Sequence, residues 1–263
     1  MENSSHDKTY IFEKETNLYT GEYFRISKKK YHLEHDKNKA IEWECVYRNN
    51  LADFKKIYGS EIIPLIKNSD SELFIENFSI LLIENYRYPV DKKILEFPAG
   101  IIDNHEYGNL ESLHSQIHLE KDEQEKKILV EKFEEIMREM IINSASRELK
   151  EETGYSGTFK NFFTLPKKNP IKIFENLFYD QWKGLENGAL SIFEIDKSSK
   201  ENFAPQQSLD ECEVIKVHEV KLSELLDFIT DKIENENYGC SMHVYSFAMG
   251  LQFSNILKEI YKN

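Results

Sequence analysis

The run from Arg147 to Tyr155, Arg-Glu-Leu-Lys-Glu-Glu-Thr-Gly-Tyr, constrains the fold of this chain more than any other stretch. If the run is helical, Glu148 projects beside Glu151 and Glu152, because residues three and four apart share a helix face. Arg147 lies one turn before Glu151 and can hold it by charge. Three carboxylates on one stripe either form a solvated acidic face or bind a hard cation such as Mg²⁺ or Mn²⁺.

A second motif upstream favours the metal site over the solvated face. The turn Glu-Phe-Pro-Ala-Gly at 96–100 is followed by Glu106. With the acidic run, this turn resembles the Nudix box, in which a glycine and a glutamate precede an Arg-Glu-apolar-x-Glu-Glu-x-Gly-apolar segment. Every named position of that pattern is filled in this chain, by Gly100, Glu106, Arg147, Glu148, Leu149, Glu151, Glu152, Gly154 and Tyr155.

One spacing departs from the Nudix pattern. Forty residues, 107–146, separate Glu106 from Arg147, where the pattern has seven. We interpret the excess, at about 107–139, as a helical insertion in a loop, since loops tolerate added length at small entropic cost. The insertion either packs on the main body or leads into the Nudix helix. Glu139 lies eight residues before Arg147 and also fits the pattern, so either Glu106 or Glu139 supports the arginine.

Composition narrows the class of protein. The net charge of −13, without an extended basic patch, argues against a nucleic-acid partner. Cys45, Cys212 and Cys240 are scattered and odd in number, which argues for a reducing compartment and against disulfides or a zinc site. The first ten residues have no apolar signal core, and the longest apolar run, 80–83, is too short to span a bilayer. We therefore expect a cytoplasmic protein with no membrane partner.

Hydrophobic periodicity predicts an α/β fold. Alternating segments at 22–26 and 41–48, with a turn near 35–38, predict an N-terminal β-subdomain within residues 1–60. Residues 61–263 are expected to form one hydrolase domain, a Nudix-type α/β/α sandwich with a mixed sheet, which is also the fold that the resemblance implies. Further strands are expected at 62–66, 78–86, 158–164, 171–180, 189–195 and 213–220. Helices are expected at 223–233, capped by Ser223, and at 243–261.

The resemblance implies a metal site and its ligands. Glu148 and Glu152 match the positions of direct metal ligands, and Glu151 that of a ligand that binds directly or through water. The backbone carbonyl of Ala99 is implied as a further ligand, because the tight turn before Gly100 would aim it at the helix. Mg²⁺ is the expected cofactor, with Mn²⁺ as a substitute.

The general base is expected in the segment 210–217, which resembles the acidic loop and strand that supply the base in the family. Glu213 takes the base position when 213–217 is aligned with the strand, and Glu211 is the alternative. Two residues along an extended chain point the same way, so side-chain direction does not separate these candidates.

Motifs outside the box resemble the ADP-sugar (ADP-ribose) pyrophosphatase branch of the family. They lie at 43–48, 85–89, 96–100 and 244–248, and Pro170 falls fifteen residues after Tyr155, where that branch carries a proline. The branch implies a homodimer in which the N-terminal β-subdomain of one copy helps to form the adenine pocket of the other.

The same resemblance implies substrate contacts. Tyr23 and Trp43 would stack on adenine, and Glu44 would accept a hydrogen bond from the adenine amine. Arg48 and Arg87 would hold phosphate or terminal-ribose oxygens by charge-assisted hydrogen bonds. The alternatives are ordinary: the aromatic residues belong to a β-core, Glu44 faces solvent, and each arginine pairs with a carboxylate of the chain.

The predicted function is Mg²⁺-dependent hydrolysis of ADP-ribose, or of a related ADP-sugar, to AMP and a sugar phosphate by metal-activated water. A first alternative is a Nudix hydrolase of another nucleoside diphosphate derivative, such as a dinucleotide or a different nucleotide sugar. A second is a catalytically silent Nudix-fold module that binds a nucleotide or a partner. Silent relatives often lose the box carboxylates, whereas this chain keeps Glu148, Glu151 and Glu152.

Overall fold

A computed structural model describes residues 9–22, 24–48, 57–68, 75–103, 107–108, 110–163, 188–211 and 213–260. The described residues divide into two compact units, with the division between Ile57 and Tyr58. None of the helices in these ranges is both long enough and apolar enough to cross a membrane. The roles assigned above to the two predicted domains stay predictions.

The first unit contains a three-stranded antiparallel sheet. Its strands are β1 (Tyr10–Thr20), β2 (Phe24–Leu33) and β3 (Asp36–Arg48), in that spatial order. The predicted hairpin between the second and third strands is confirmed. It is longer at its turn end than the sequence pattern indicated, since β2 continues to Leu33 and β3 begins at Asp36, whereas β2 starts at Phe24 rather than at 22. Strand β1 was not predicted as a separate element. It is exposed along its whole length, so its sequence lacks the regular apolar alternation by which a half-buried strand is recognised.

The second unit is built on a mixed sheet. Its strands run in the spatial order β11-β6-β5-β4-β9-β8, while β7 pairs with β4 and β10 pairs with β5. The pairs β4–β9 and β6–β11 are parallel, and the other pairs are antiparallel. The bounds are β4 Gly59–Lys67, β5 Phe78–Arg87, β6 Lys92–Glu96, β7 Ala99–Ile101, β8 Thr158–Phe162, β9 Gly188–Ile195, β10 Ile215–Lys221 and β11 Gly239–Cys240.

Helices cover both faces of this sheet. They are α1 (Leu110–Leu119), α2 (Glu123–Thr153), α3 (Leu225–Glu236) and α4 (Met242–Ile260). Helix α2 contributes Ala145 and Leu149 to a core with Ile62, Leu81 and Phe193 on one face. Helices α3 and α4 contribute Leu225, Ile229, Val244 and Ala248 to a core with Ile63, Leu82 and Leu95 on the other. The expected α/β/α sandwich with a mixed sheet is confirmed.

The insertion before the acidic run is helical. It consists of α1 and the first part of α2, which continues without a break into the acidic run. Of the two expectations for the insertion, a helix that leads into the acidic segment therefore describes it. Asp122 starts α2 by accepting hydrogen bonds from the amides of Gln124 and Glu125, both at 2.9 Å. Gly154 ends the helix in the left-handed conformation, with φ of 76°.

Two boundary predictions were wrong. Ser223 does not cap α3: it lies inside a short 3₁₀ turn, Leu222–Glu224, that tightens the chain so that Leu222 and Leu225 are both buried. Strand β10 begins at Ile215 rather than at 213, because the amide of Glu213 donates to the Asp210 carbonyl at 3.0 Å and closes a turn. The expected strand at 171–180 and Pro170 lie outside the described residues.

Candidate active site

The acidic run lies at the C-terminal end of α2, next to the start of β7. Leu149 is fully buried against the sheet. Anchoring this residue turns the neighbouring carboxylates of Glu148 and Glu152 toward the edge of the sheet. One oxygen of Glu152 accepts the backbone N–H of Ala99 at 2.8 Å. The helix and the Glu-Phe-Pro-Ala-Gly turn are thus joined by a hydrogen bond between their predicted functional residues.

Glu152 is buried and Glu148 is half-buried, and both have strongly raised pKa values. Burial, together with the charges of Glu148 and Glu213, raises the pKa of Glu152 to about 8, although the Ala99 N–H opposes the shift. Burial raises the pKa of Glu148 to about 7; Arg147 opposes the shift, and the charge of Glu151 adds to it. Without a cation, the site therefore holds negative charge at a considerable electrostatic cost.

Arg147 holds the acidic segment and the turn together. One of its terminal nitrogens lies 2.8 Å from Glu148 and 3.0 Å from Glu151, and the other donates to the Ile101 carbonyl at 3.3 Å. Asp103 lies 3.8 Å from the same guanidinium. Of the two predicted supports, Glu106 lies outside the described residues. Glu139 is exposed and eight residues away, about 12 Å along the helix axis, which disfavours it.

Because Gly100 has no side chain, the Glu148 carboxylate can occupy the space next to its Cα atom. A Cβ atom built on Gly100 would overlap the carboxyl carbon and both oxygens of Glu148. Glycine is therefore needed here for a close approach between the turn and the helix, and the need does not come from its backbone conformation.

Replacing Gly100 by alanine should displace the Glu148 carboxylate while the fold survives. We expect the rate of the reaction proposed below to fall by about 100-fold, since a shift of about 1 Å at a reacting group has an effect of that size. Steady-state kinetics measure the change. Gly250→Ala is the matched control, because a Cβ at Gly250 meets nothing within 4 Å. Equal rates for the two variants would show that the close approach of the Glu148 carboxylate to Gly100 has no functional role.

The two candidate bases occupy different environments. Glu213 is half-buried, and its charge contributes to the raised pKa of both Glu148 and Glu152. Glu211 is exposed. Both residues precede β10 and lie in or next to a turn, so the extended-chain geometry on which their common direction was expected does not apply. The charge of Glu213 is among the main causes of the raised pKa of Glu148 and Glu152, which favours Glu213 as the candidate base.

Arg87 lies at the same site but is paired with Glu96. Its Nε donates to the two Glu96 oxygens at 2.9 and 3.2 Å, and a terminal nitrogen lies 2.8 Å from one of them. Burial raises the pKa of Glu96, with Arg87 opposing the shift. Burial would lower the pKa of Arg87, but its hydrogen bonds to Glu96 and the negative charges of Glu96, Glu152 and Glu213 raise it. The alternative that Arg87 pairs with a carboxylate is thus realised, and the guanidinium still faces the acidic cluster.

The remaining predicted contacts belong to the first unit. Trp43 and Glu44 lie on β3, and both are exposed, Trp43 by 63%. Arg48 ends β3, where its backbone pairs with Phe24. Tyr23 lies outside the described residues. Their adenine and phosphate contacts stay predictions.

The acidic side chains at the end of α2 suit a divalent cation that takes only a few of its ligands from the protein. In the described ranges, no three side chains of His, Cys, Asp or Glu gather where they could hold a metal ion. Burial nevertheless raises the pKa of both Glu148 and Glu152, a cation would neutralise their charge, and the absence of a side chain at Gly100 lets Glu148 approach the turn. Glu151 is paired with Arg147, and its side chain is 40% exposed. It is therefore a weaker candidate for a direct metal ligand than Glu148 or Glu152.

Two features of the site had no role in the sequence-based prediction. Glu96 belongs to the recognised turn, but strand register would not have identified its pair with Arg87, because Glu96 lies opposite Ile83 and Arg87 opposite Lys92. Gln207 donates its side-chain amide to the Glu152 carbonyl at 2.5 Å. No sequence signal marks that bond, because an amide that binds a distant backbone carbonyl leaves no pattern.

No family model matches the sequence, but it is similar to curated proteins that are named as Nudix hydrolases or as an ADP-ribose pyrophosphatase. It is 26% identical over 227 residues to an uncharacterized Nudix hydrolase of Schizosaccharomyces pombe, covering 86% of this chain and 84% of that protein. It is 26% identical over 215 residues to putative nudix hydrolase 2 of Caenorhabditis elegans, covering 81% and 74%. It is 27% identical over 213 residues to the ADP-ribose pyrophosphatase of Saccharomyces cerevisiae, covering 81% and 71%.

A solved structure of an ADP compounds hydrolase aligns with 99% of this chain and 100% of its own, at 15% identity and a TM-score of 0.48.

Proposed function

We propose that this chain is a Nudix hydrolase that cleaves the diphosphate linkage of ADP-ribose, or of a related ADP-sugar, with Mg²⁺ as cofactor, in line with the names of its relatives. The products are AMP and a sugar phosphate, which is ribose 5-phosphate when ADP-ribose is the substrate. The observation that carries the proposal is the pair of acids Glu148 and Glu152, held against the turn at Ala99 and Gly100, with a charge on Glu213 that contributes to the raised pKa of both.

Glu148 and Glu152 would hold the metal, with the Ala99 carbonyl as a further ligand. When bound, Mg²⁺ offsets the charge of the diphosphate and lowers the pKa of water. Glu151 supports the site either through a water molecule or through Arg147, with which it is paired. Arg147 keeps the helix and the turn at a fixed separation, because it contacts both Glu148 and the Ile101 carbonyl.

Glu213 is the proposed general base. Its carboxylate accepts the proton of the attacking water, whose oxygen forms a bond to phosphorus while the bond to the bridging oxygen breaks. Arg87 faces the developing negative charge and would exchange part of its pairing with Glu96 for phosphate oxygens. Glu211 is the weaker candidate for the base, because it is exposed.

The preference for an adenine nucleotide rests on the relative that is named an ADP-ribose pyrophosphatase and on residues of the first unit. Trp43 is an exposed aromatic side chain available for stacking, and Glu44 lies next to it with its own exposed carboxylate. Tyr23 and Arg48 complete the proposed pocket by resemblance to the branch.

A homodimer is part of the proposal. Strand β1 is exposed throughout and carries large apolar side chains, among them Phe12 and Tyr19, at 52% and 61% exposure. Exposed apolar strands of this kind are typical of surfaces that another chain covers. Light scattering gives the mass in solution, and a monomer at micromolar concentration would exclude the dimer.

Product analysis tests the proposed reaction. The protein is incubated with ADP-ribose, a second ADP-sugar, a dinucleotide and a nucleotide sugar without adenine, each with Mg²⁺ and with EDTA. We expect AMP and ribose 5-phosphate from ADP-ribose only when Mg²⁺ is present. Faster cleavage of the dinucleotide or of the sugar nucleotide without adenine would reassign the substrate. Binding without cleavage of any of the four would favour a silent binding module.

A further inference from the structure

The C-terminal end of α2 is capped by a distant segment of the chain. The last carbonyls of a helix lack partners within it and must find them elsewhere. In this protein, the amide of Ser208 donates to the carbonyl of Glu151 at 2.9 Å, and the side-chain amide of Gln207 donates to the carbonyl of Glu152 at 2.5 Å. The two capped residues are themselves members of the acidic site.

The same glutamine also binds the start of β10. Its side-chain nitrogen lies 3.3 Å from the carbonyl of Ile215, so one amide group bridges the end of α2 and the first residue of the strand. The described residues between these two anchors, 208–211 and 213–214, are here called the base loop. At its beginning the packing is tight, since a Cβ on Gly154 would come within 2.6 Å of the Gln206 backbone nitrogen.

Glu213 lies inside the base loop, two residues before the Ile215 anchor. The loop is short and is folded on itself: the Glu213 amide donates to the Asp210 carbonyl at 3.0 Å, and the Asp210 amide donates to a Glu213 carboxylate oxygen at 3.1 Å. With both ends held, the position of the Glu213 carboxylate relative to Glu152 depends on the bridge. The effect of Glu213 on the raised pKa of Glu148 and Glu152 agrees with this closeness.

We propose that Gln207 is a positioning residue for catalysis: its amide ties the carbonyl of Glu152 to that of Ile215 and so sets the distance from the base Glu213 to the acidic site. The inference rests on the proposed function, in which Glu213 is the general base. It goes beyond that function because the proposed reaction gives Gln207 no contact with substrate or metal. Its amide acts through the backbone on which the base is carried.

A double-mutant cycle tests the proposal. Gln207→Leu removes the amide donor at similar volume, and we expect kcat for ADP-ribose to fall by about 10- to 100-fold with KM changed by less than about twofold. In the Glu213→Gln background, the same replacement should cause almost no further loss, because the residue that it positions is already inactive. The control is Gln206→Leu, whose exposed side chain makes no bond to the bridged carbonyls, and its kcat should match the wild type.

The outcomes separate positioning from a general structural role. Equal losses from Gln207→Leu in the wild-type and Glu213→Gln backgrounds, or a change in KM alone, would overturn the proposal. If Gln207→Leu does not fold, Gln207→Asn keeps the amide but shortens its reach by one methylene, and the same cycle is run with it.

Hydrogen exchange gives a measurement that does not depend on the substrate. The Ser208 amide donates to Glu151, so its exchange should quicken by about 10-fold or more when the Gln207 bridge is removed, and should be unchanged in Gln206→Leu. Unchanged exchange in Gln207→Leu would also overturn the proposal. If the wild type fails to cleave ADP-ribose but the exchange result holds, the substrate assignment is wrong and the bridge is retained.

Discussion

Replacing Glu152 by glutamine is expected to lower the turnover of ADP-ribose by about 1,000-fold or more while the protein stays folded. Glutamine keeps an oxygen that can accept the Ala99 N–H, so the turn stays attached to α2. It removes a negative charge on which metal binding depends. Turnover with saturating Mg²⁺ and far-ultraviolet circular dichroism measure the two parts. The control is Glu135→Gln, an exposed glutamate on the same helix.

The same substitution should stabilise the metal-free protein at high pH. The folded-state pKa of Glu152 is about 8, above its ordinary value of 4.5. The free energy of unfolding therefore decreases as the pH rises from 4.5 to 8, because the unfolded state ionises more readily than the folded state. Glutamine does not ionise, so it causes no such decrease. We expect the free energy of unfolding in EDTA to be about 2 kcal/mol or more higher for Glu152→Gln at pH 9, and nearly equal to the wild type at pH 4.5.

Denaturant unfolding in EDTA at the two pH values measures this difference. Adding Mg²⁺ should stabilise the wild type more than the variant, because a ligand stabilises the state that binds it. A variant that is less stable than the wild type at pH 9, or that keeps its turnover, would contradict the assignment of Glu152 to the metal site.

Replacing Glu84 by glutamine is expected to lower the free energy of unfolding by about 2–3 kcal/mol at pH 7, away from the active site. Glu84 is only 5% exposed, and its oxygens lie 2.7 Å from Lys93 and 2.9 Å from His218. Removing one charge of a buried network leaves the other groups without their partner. The control is Glu219→Gln, whose exposed pair with Lys197 should contribute less than about 0.5 kcal/mol.

The stabilisation that Glu84 provides is expected to depend on pH. Burial alone would raise its pKa, but hydrogen bonds from Lys93, His218 and Tyr238 outweigh burial and lower the pKa to about 2. Its contribution is therefore complete above about pH 4.5 and is lost as the pH falls toward 2. Unfolding curves of wild type and variant should converge in that range. An equal loss in the free energy of unfolding for Glu84→Gln and Glu219→Gln at pH 7 would show that the buried network stabilises the protein no more than the exposed ion pair does.

Elements with a strong periodic pattern were predictable, whereas the starts of α3 and β10 and the whole of β1 were not. The central strand at 78–86 and the closing helix at 243–261 agree with β5 and α4 to within one residue, because each buries an apolar face against the sheet. Ser223 failed as a helix cap because the burial of Leu222 and Leu225 outweighed the local capping preference. Strand β1 was not predicted because it is exposed along its whole length and has no half-buried face.

At the site, the sequence by itself determined the chemistry. The spacing of Glu148, Glu151 and Glu152 is local, and the helix periodicity places them together whatever surrounds them. The family also followed from short motifs in order along the chain, since each motif is a local pattern.

The tertiary structure alone decided how these groups are arranged in space. It separated Glu213 from Glu211 by a turn that closes before β10, paired Arg87 with Glu96, and bridged α2 to β10 through Gln207. These contacts join residues far apart in the chain, and their energies depend on burial and on a few ångströms of approach. Local sequence patterns carry neither quantity, which is why the carboxylates and the local Arg147–Glu151 pair were predictable and the partners from distant segments were not.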